Sequence, residues 1–97
     1  MPHYITLFRF TQKGLENIKG AASRIDAGKK AIEAAGGKVK GFYVTLGQYD
    51  GVLIAELPND EAVAKLSLAT GALGNVRGET MRAFTEEEYR KLIASLP

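Results

Sequence analysis

The chain has no cysteine and no tryptophan among its 97 residues, and only one histidine, His3. Without cysteine there can be no disulfide framework, thiolate metal site or thiol nucleophile. That composition suits a reducing compartment, so a cytoplasmic location is expected. A single histidine excludes a metal centre built from several imidazoles, and no metal or cofactor is expected. No apolar run approaches the roughly 20 residues that span a bilayer, and no basic and then apolar leader opens the chain. Neither a membrane partner nor export is expected. Phosphate-cradling glycine patterns are missing too: no G-x-G-x-x-G follows a strand, and no G-x-x-x-x-G-K-[ST] occurs.

Charge of one sign is also scarce. Thirteen basic against eleven acidic side chains leave a net +2. The excess comes from the first half, through Lys13, Lys19, Arg24, Lys29, Lys30, Lys38 and Lys40. These are dispersed and accompany no nucleic-acid-binding motif, so no nucleic-acid partner is expected.

What is present is ordinary globular composition, 45% hydrophobic and 25% charged. A chain this short supports one domain, residues 1–97, around one thin core. Association between copies would stabilise it. Residues Pro2 to Phe10 alternate as a strand, with Tyr4, Thr6, Phe8 and Phe10 on one side and His3, Ile5, Leu7 and Arg9 on the other. Thr11 can cap a short helical turn. Leu15, Ile18, Ala22, Ile25, Ile32 and Ala35 then recur at helical spacing, with Ser23 and Asp26 spaced as a possible start of the main helix. Gly36-Gly37 ends it.

Lys38–Leu46 reads as a second strand, with Phe42, Val44 and Leu46 on one face and Val39, Tyr43 and Thr45 on the other. Val52–Leu57 reads as a third. The short connection Gly47–Gly51 favours an antiparallel hairpin. Asn59 or Asp60 can cap a helix whose inward stripe is Ala62, Leu66, Ala69 and Leu73, closed by Gly74. Asn75–Phe84 alternates as a fourth strand. Thr85 and Glu88 form a capping box, opening a last helix expected to turn Tyr89, Leu92, Ile93 and Leu96 inward.

The expected fold is therefore α+β, a ferredoxin-like βαββαβ with an extra C-terminal helix. Right-handed crossovers put both connecting helices on one side of the sheet. The other side is expected to expose Tyr4, Thr6, Phe8, Tyr43, Thr45, Val52, Ile54, Thr80 and Phe84. A patch of that size on a monomer asks for cover. A second copy is the simplest cover, giving a homodimer or higher homo-oligomer with a dimeric α/β barrel.

Gly41-Phe42-Tyr43 leads into Leu46-Gly47-Gln48-Tyr49-Asp50. Further on come Leu73-Gly74-Asn75-Val76-Arg77, Glu79-Thr80 and Arg82-Ala83-Phe84-Thr85. Taken in this order, from about Tyr4 to Thr85, the chain resembles the GYD-domain family, whose name Gly47, Tyr49 and Asp50 spell out. The resemblance implies a fold similar to the dimeric α/β-barrel group, which includes cofactor-free monooxygenases, haem proteins and plain ligand binders. It implies no catalytic residue.

The candidates for chemistry each have two readings. Asp50, at a strand end beside glycines, can act as a general base, with Tyr49 as a second proton-handling group. Alternatively Asp50 bonds turn amides while Tyr49 packs at the rim. Arg77 and Glu79 face the same way on the fourth strand and can bind and polarise an acidic group, or form a salt bridge. Thr6, Tyr43, Thr45 and Thr80 can place hydroxyls in an apolar pocket, or satisfy one another across an interface. Arg9 and Glu56 read as edge charges that discourage misassociation. His3 alone is a surface residue or a lone ligand. The function expected is a homo-oligomeric module that binds a small organic ligand or serves assembly. The alternative is a cofactor-free enzyme, monooxygenase- or isomerase-like, using Asp50 and Tyr49.

Overall fold

Alternation of branched and aromatic residues builds four strands, and helical periodicity fills the connections between them. A computed structural model describes residues 1–97. Its elements are β1 (His3–Phe10), α1 (Gln12–Glu16), a 3-10 turn (Ile18–Gly20), α2 (Ala21–Ala34), β2 (Lys38–Val44), β3 (Gly51–Glu56), α3 (Asp60–Leu73), β4 (Val76–Ala83) and α4 (Glu86–Ala94). The strands form one antiparallel sheet in the order β2-β3-β1-β4. This is the ferredoxin-like order, and no helix is long and apolar enough to cross a membrane.

Local signals set the boundaries. Thr11 Oγ1 accepts from Gly14 N at 3.1 Å and starts α1. Asn59, not Asp60, caps α3, accepting from Ala62 N at 2.9 Å. Thr85 and Glu88 complete the capping box of α4 in both directions. The main N-terminal helix begins at Ala21 without a side-chain cap, so the Ser23–Asp26 start is not used. It runs on from the 3-10 turn, which already orients its first amides.

The core lies between the sheet and the α2/α3 layer. Tyr4, Ile32, Ala55 and Leu57 are buried, and Val39, Leu53, Val63 and Leu66 pack against them. Phe8 stacks on Phe42 with ring centres 5.8 Å apart. Only eight of the 97 residues are buried, so this subunit has few of the side chains that each contribute about 1.5–3 kcal/mol when removed from water.

The register corrects the expected faces. Tyr4 is opposite Ala55 and Arg82, Thr6 opposite Leu53 and Thr80, and Phe8 opposite Gly51 and Gly78. Directly opposed residues share a face, so Tyr4, Thr6, Phe8 and Thr80 are on the helix-covered side. Alternation told the two sides of β1 apart but not which was inner, since both carry large apolar residues. Of the expected residues, Val52, Ile54 and Tyr43, which is opposite Val52, are on the open side, and Ile5, Leu7 and Met81 join them there. Thr45 lies in the β2–β3 loop and Phe84 beyond the end of β4. A register shift between Val39 and Gly41 brings Val39 and Phe42 to the same face, although strict alternation would separate them.

The last helix departs further from expectation. Tyr89, Leu92, Ile93 and Leu96 are all exposed, and α4 makes little contact with the rest of its own chain. The outline is correspondingly long, 53 × 30 × 18 Å.

Candidate functional site

The β2–β3 loop reaches the end of β1 and is tied to it residue by residue. Asp50 N donates to Phe8 O at 2.8 Å, and Phe10 N donates to Asp50 Oδ2 at 2.8 Å. Since β3 begins only at Gly51, the Asp50 side chain supplies the acceptor for Phe10 that a longer strand would have supplied. The loop closes on itself through Thr45 N to Asp50 O, 2.9 Å, and Thr45 Oγ1 to Tyr49 O, 2.6 Å. Gly47 turns the chain with φ of 129°, a left-handed conformation that side-chain-bearing residues resist.

This loop delivers Tyr49 to one end of the open sheet face. Its hydroxyl donates to Glu79 Oε2 at 2.7 Å. The Arg9 guanidinium lies 4.7 Å from the centre of its ring, and Arg9 Nε donates to Gln48 O at 2.6 Å. Arg77 is directly opposite Arg9 on β4. The Glu79 carboxylate, by accepting a hydrogen bond from the phenol, raises the Tyr49 pKa above its ordinary value, while Arg9 opposes that shift. The result is a neutral phenol, a carboxylate and two guanidinium groups around the rim of an apolar surface. At the other end of the same face Glu56 sits 3.8 Å from His3 Nε2 and 3.6 Å from Lys40 Nζ. Arg9 and Glu56 lie on the two central strands, so neither is an edge charge.

The structure thus brings together Tyr49, Glu79 and Arg77 of the sequence candidates, and adds Arg9. Thr6 and Tyr43 are on opposite faces of the sheet, and Thr45 is engaged in its loop. The hydroxyls expected to line one pocket therefore do not converge. Thr6 Oγ1 and Thr80 Oγ1 bond each other at 2.9 Å on the helix side. Next to them a cleft of about 280 Å³ is bordered by Tyr4, Asp60, Val63, Thr80 and Arg82. There the Tyr4 hydroxyl donates to Asp60 Oδ1 at 2.5 Å, which raises the Tyr4 pKa. Sequence reasoning missed this pair because 56 positions separate its members. The one available signal was Asn59, a sufficient cap that leaves Asp60 free.

The family model of the GYD domain matches residues 4–93, nearly the whole chain. This protein is a member of the GYD-domain family. Among solved structures, the GYD domain is similar to TTHA0845 from Thermus thermophilus. The two share 26% sequence identity over 88% of this chain and 95% of that one, with a TM-score of 0.51. No curated protein matches. In physical terms the three name-giving residues of the GYD domain have separate tasks: Gly47 turns the loop, Asp50 ties it to β1, and Tyr49 is carried to the open face.

Proposed function

We propose that the GYD domain is a self-associating module whose copies pair through the open sheet face and hold a small organic ligand beside Tyr49, Glu79, Arg9 and Arg77. One observation supports this above others: an apolar strip of Ile5, Leu7, Val52, Ile54 and Met81 is bordered at both ends by charged clusters. An apolar centre with a polar rim is the anatomy of a protein interface. Four strands spaced about 4.8 Å apart and some 20–25 Å long give a face of roughly 450 Å² in plan, and the side chains standing on it add area. The plan area alone is a little over half of the ~800 Å² per partner of a standard stable interface. A second copy of this sheet is the occupant that matches its dimensions. The thin core of the single subunit favours the same arrangement. A cysteine-free chain needs no oxidising compartment, and a cytoplasmic location belongs to the same reading.

Pairing would shield the Tyr49–Glu79 bond from water and leave a mostly apolar space with a few polar groups at one end, the usual character of a small-molecule site. The ligand class that suits it is a small organic molecule with an acidic or enolic oxygen for the guanidinium groups.

Sedimentation equilibrium at micromolar concentration tests the pairing. Wild type should run at two or more times 10.5 kDa, and Ile54→Lys, with unchanged far-ultraviolet circular dichroism, should move toward the monomer mass. A wild-type monomer would sink the proposal.

The 2.7 Å bond between Tyr49 and Glu79 favours a second reading, a cofactor-free enzyme, because a phenol paired with a carboxylate can pass a proton to or from an enolic substrate. In that reading Asp50, whose carboxylate accepts from Phe10 N, positions Tyr49 through the loop. Turnover of quinols or enols that Tyr49→Phe abolishes would support the enzyme, and equal rates would remove it.

A further inference from the structure

The sheet has two free edges, and they differ. β2 carries the register shift at Lys40 and two lysines, Lys38 and Lys40, devices that keep an edge from recruiting another strand. β4 has none of these. It pairs with β1 over eight residues without a break, contains no lysine or proline, and is exposed from Arg77 to Arg82. Leu57 N donates to Pro2 O at 3.1 Å, one step beyond the His3–Glu56 pair. Even-numbered residues of β1 therefore direct their backbone groups to β3, and odd-numbered ones to β4. The β4 residues opposite the latter, Arg77, Glu79 and Met81, bond β1. Gly78, Thr80 and Arg82 turn their N–H and C=O groups outward, where no backbone partner meets them.

Charge then selects among the ways a second strand can be added. Arg77 and Glu79 stand on the open side of β4, and neither has an ion-pair partner in its own subunit. When two copies of β4 pair antiparallel about a two-fold axis normal to the sheet, each residue keeps its face. A centre at Arg77 or at Glu79 sets like charges directly opposite, which is unfavourable. A centre at Thr80 sets Glu79 opposite Met81 and gives neither charge a counterpart. A centre at Gly78 sets Arg77 of each copy opposite Glu79 of the other. Those pairs fall at non-hydrogen-bonded positions, where opposed side chains are closest.

We infer that the outer edge of β4 is a strand-addition site whose occupant is β4 of a second copy, centred on Gly78. The outward backbone groups of Val76, Gly78 and Thr80 then bond their counterparts, and the two sheets become one. Arg77 of the second copy reaches Glu79, so the neighbour supplies a residue to the Tyr49–Glu79 pair. The same pairing brings α3, which packs on β4, beside its counterpart, and α3 exposes Leu68. This contact is separate from pairing through the open face, and the two together assemble four copies.

The absence of cysteine makes a single-thiol test clean. Residues of a hydrogen-bonded antiparallel pair lie about 5.5 Å apart at Cα, within disulfide reach. Gly78→Cys should therefore oxidise to a covalent dimer on a non-reducing gel. Thr80→Cys, displaced along the strand from its own counterpart, should stay monomeric on the same gel. A Cβ at Gly78 would meet Thr6 Cγ2 at 3.2 Å, a methyl that can shift. A second measurement avoids that site altogether: sedimentation in the Ile54→Lys background, where the open face is disabled. Ile54→Lys should run at twice 10.5 kDa, and adding Arg77→Glu should bring it to the monomer mass. Adding Glu79→Arg as well should restore the doubled mass, because the charges are then exchanged. If only the face pairing fails, Ile54→Lys keeps the wild-type mass while the responses to Arg77→Glu and Glu79→Arg persist. A monomeric Ile54→Lys, a doubled mass that Arg77→Glu leaves unchanged, or cross-linking by Thr80→Cys as fast as by Gly78→Cys would each overturn the inference.

Discussion

Asp50 and Phe10 are joined by a bond that does the work of a missing strand residue: the Phe10 N–H points past the end of β3 and meets Asp50 Oδ2 at 2.8 Å. Asp50→Ala should leave that amide without its partner and cost about 1–3 kcal/mol. Asp50→Asn keeps an acceptor oxygen and should cost less. Urea denaturation with unchanged slope would record both values. If Ala and Asn were equally mild, the carboxylate would not be the anchor of the loop.

Gly47 and Gly51 separate two reasons for glycine in one loop. A Cβ at Gly47 meets nothing within 4 Å, so Gly47→Ala suffers only from its φ of 129° and should lose about 1–3 kcal/mol. At Gly51 a Cβ would lie 2.2 Å from Phe8 Cζ and 2.9 Å from Tyr43 O. Gly51→Ala should therefore be the more damaging, because the aromatic ring and a backbone carbonyl must both give way. Comparing the two urea midpoints checks the order.

Element types were legible in the sequence because each rests on local chemistry. Thr85 and Glu88 announce their helix within four residues, and Gly36 and Gly74 mark helix ends with positive φ of 86° and 78°. The face of β3 was legible, but that of β1 was not. Thr6 and Leu7 differ little as markers of inside and outside on a strand where Ile5, Leu7, Tyr4 and Phe8 are all large and apolar. The bulge at Lys40 hid from any strict period of two that Val39 and Phe42 share a face. Of the candidate site, Tyr49 and Glu79 were visible as residues but not as partners, since their bond depends on the loop crossing the end of β1. Arg9 was misplaced for a different reason: the expected ferredoxin-like order already puts β1 and β3 at the centre of the sheet, and reading Arg9 and Glu56 as edge charges did not follow from it.

Tyr49 gives a pH-dependent signature of the site. Its pKa is raised because the phenol donates to Glu79, so the bond is fully present below the ordinary value of 10.0 and is lost as the pH climbs through the higher folded value. Glu79→Gln should bring Tyr49 ionisation back toward 10.0, and Tyr49→Phe should delete it. Tyrosinate absorbance of wild type and the two variants across alkaline pH resolves the assignment. An unchanged titration in Glu79→Gln would show that the carboxylate does not hold the phenol.

The C-terminal helix should respond to acid before the sheet does. A free-standing helix of nine residues is marginal in water, and α4 has little packing against its own subunit to compensate. Its start depends on Thr85 N donating to Glu88 Oε1 at 2.9 Å and on Glu88 N donating to Thr85 Oγ1 at 3.1 Å. The first of these bonds, above all, lowers the Glu88 pKa from 4.5. A depressed carboxylate stabilises above its ordinary value, and that contribution disappears as the pH falls through the lower folded one. Protection factors for hydrogen exchange in α4 should therefore fall below about pH 4.5 while those of β1 and β3 are maintained, and Glu88→Gln should reproduce part of the effect at neutral pH. If α4 instead kept its protection with the capping carboxylate neutralised, Tyr89, Leu92, Ile93 and Leu96 would have to be covered by something other than their own subunit.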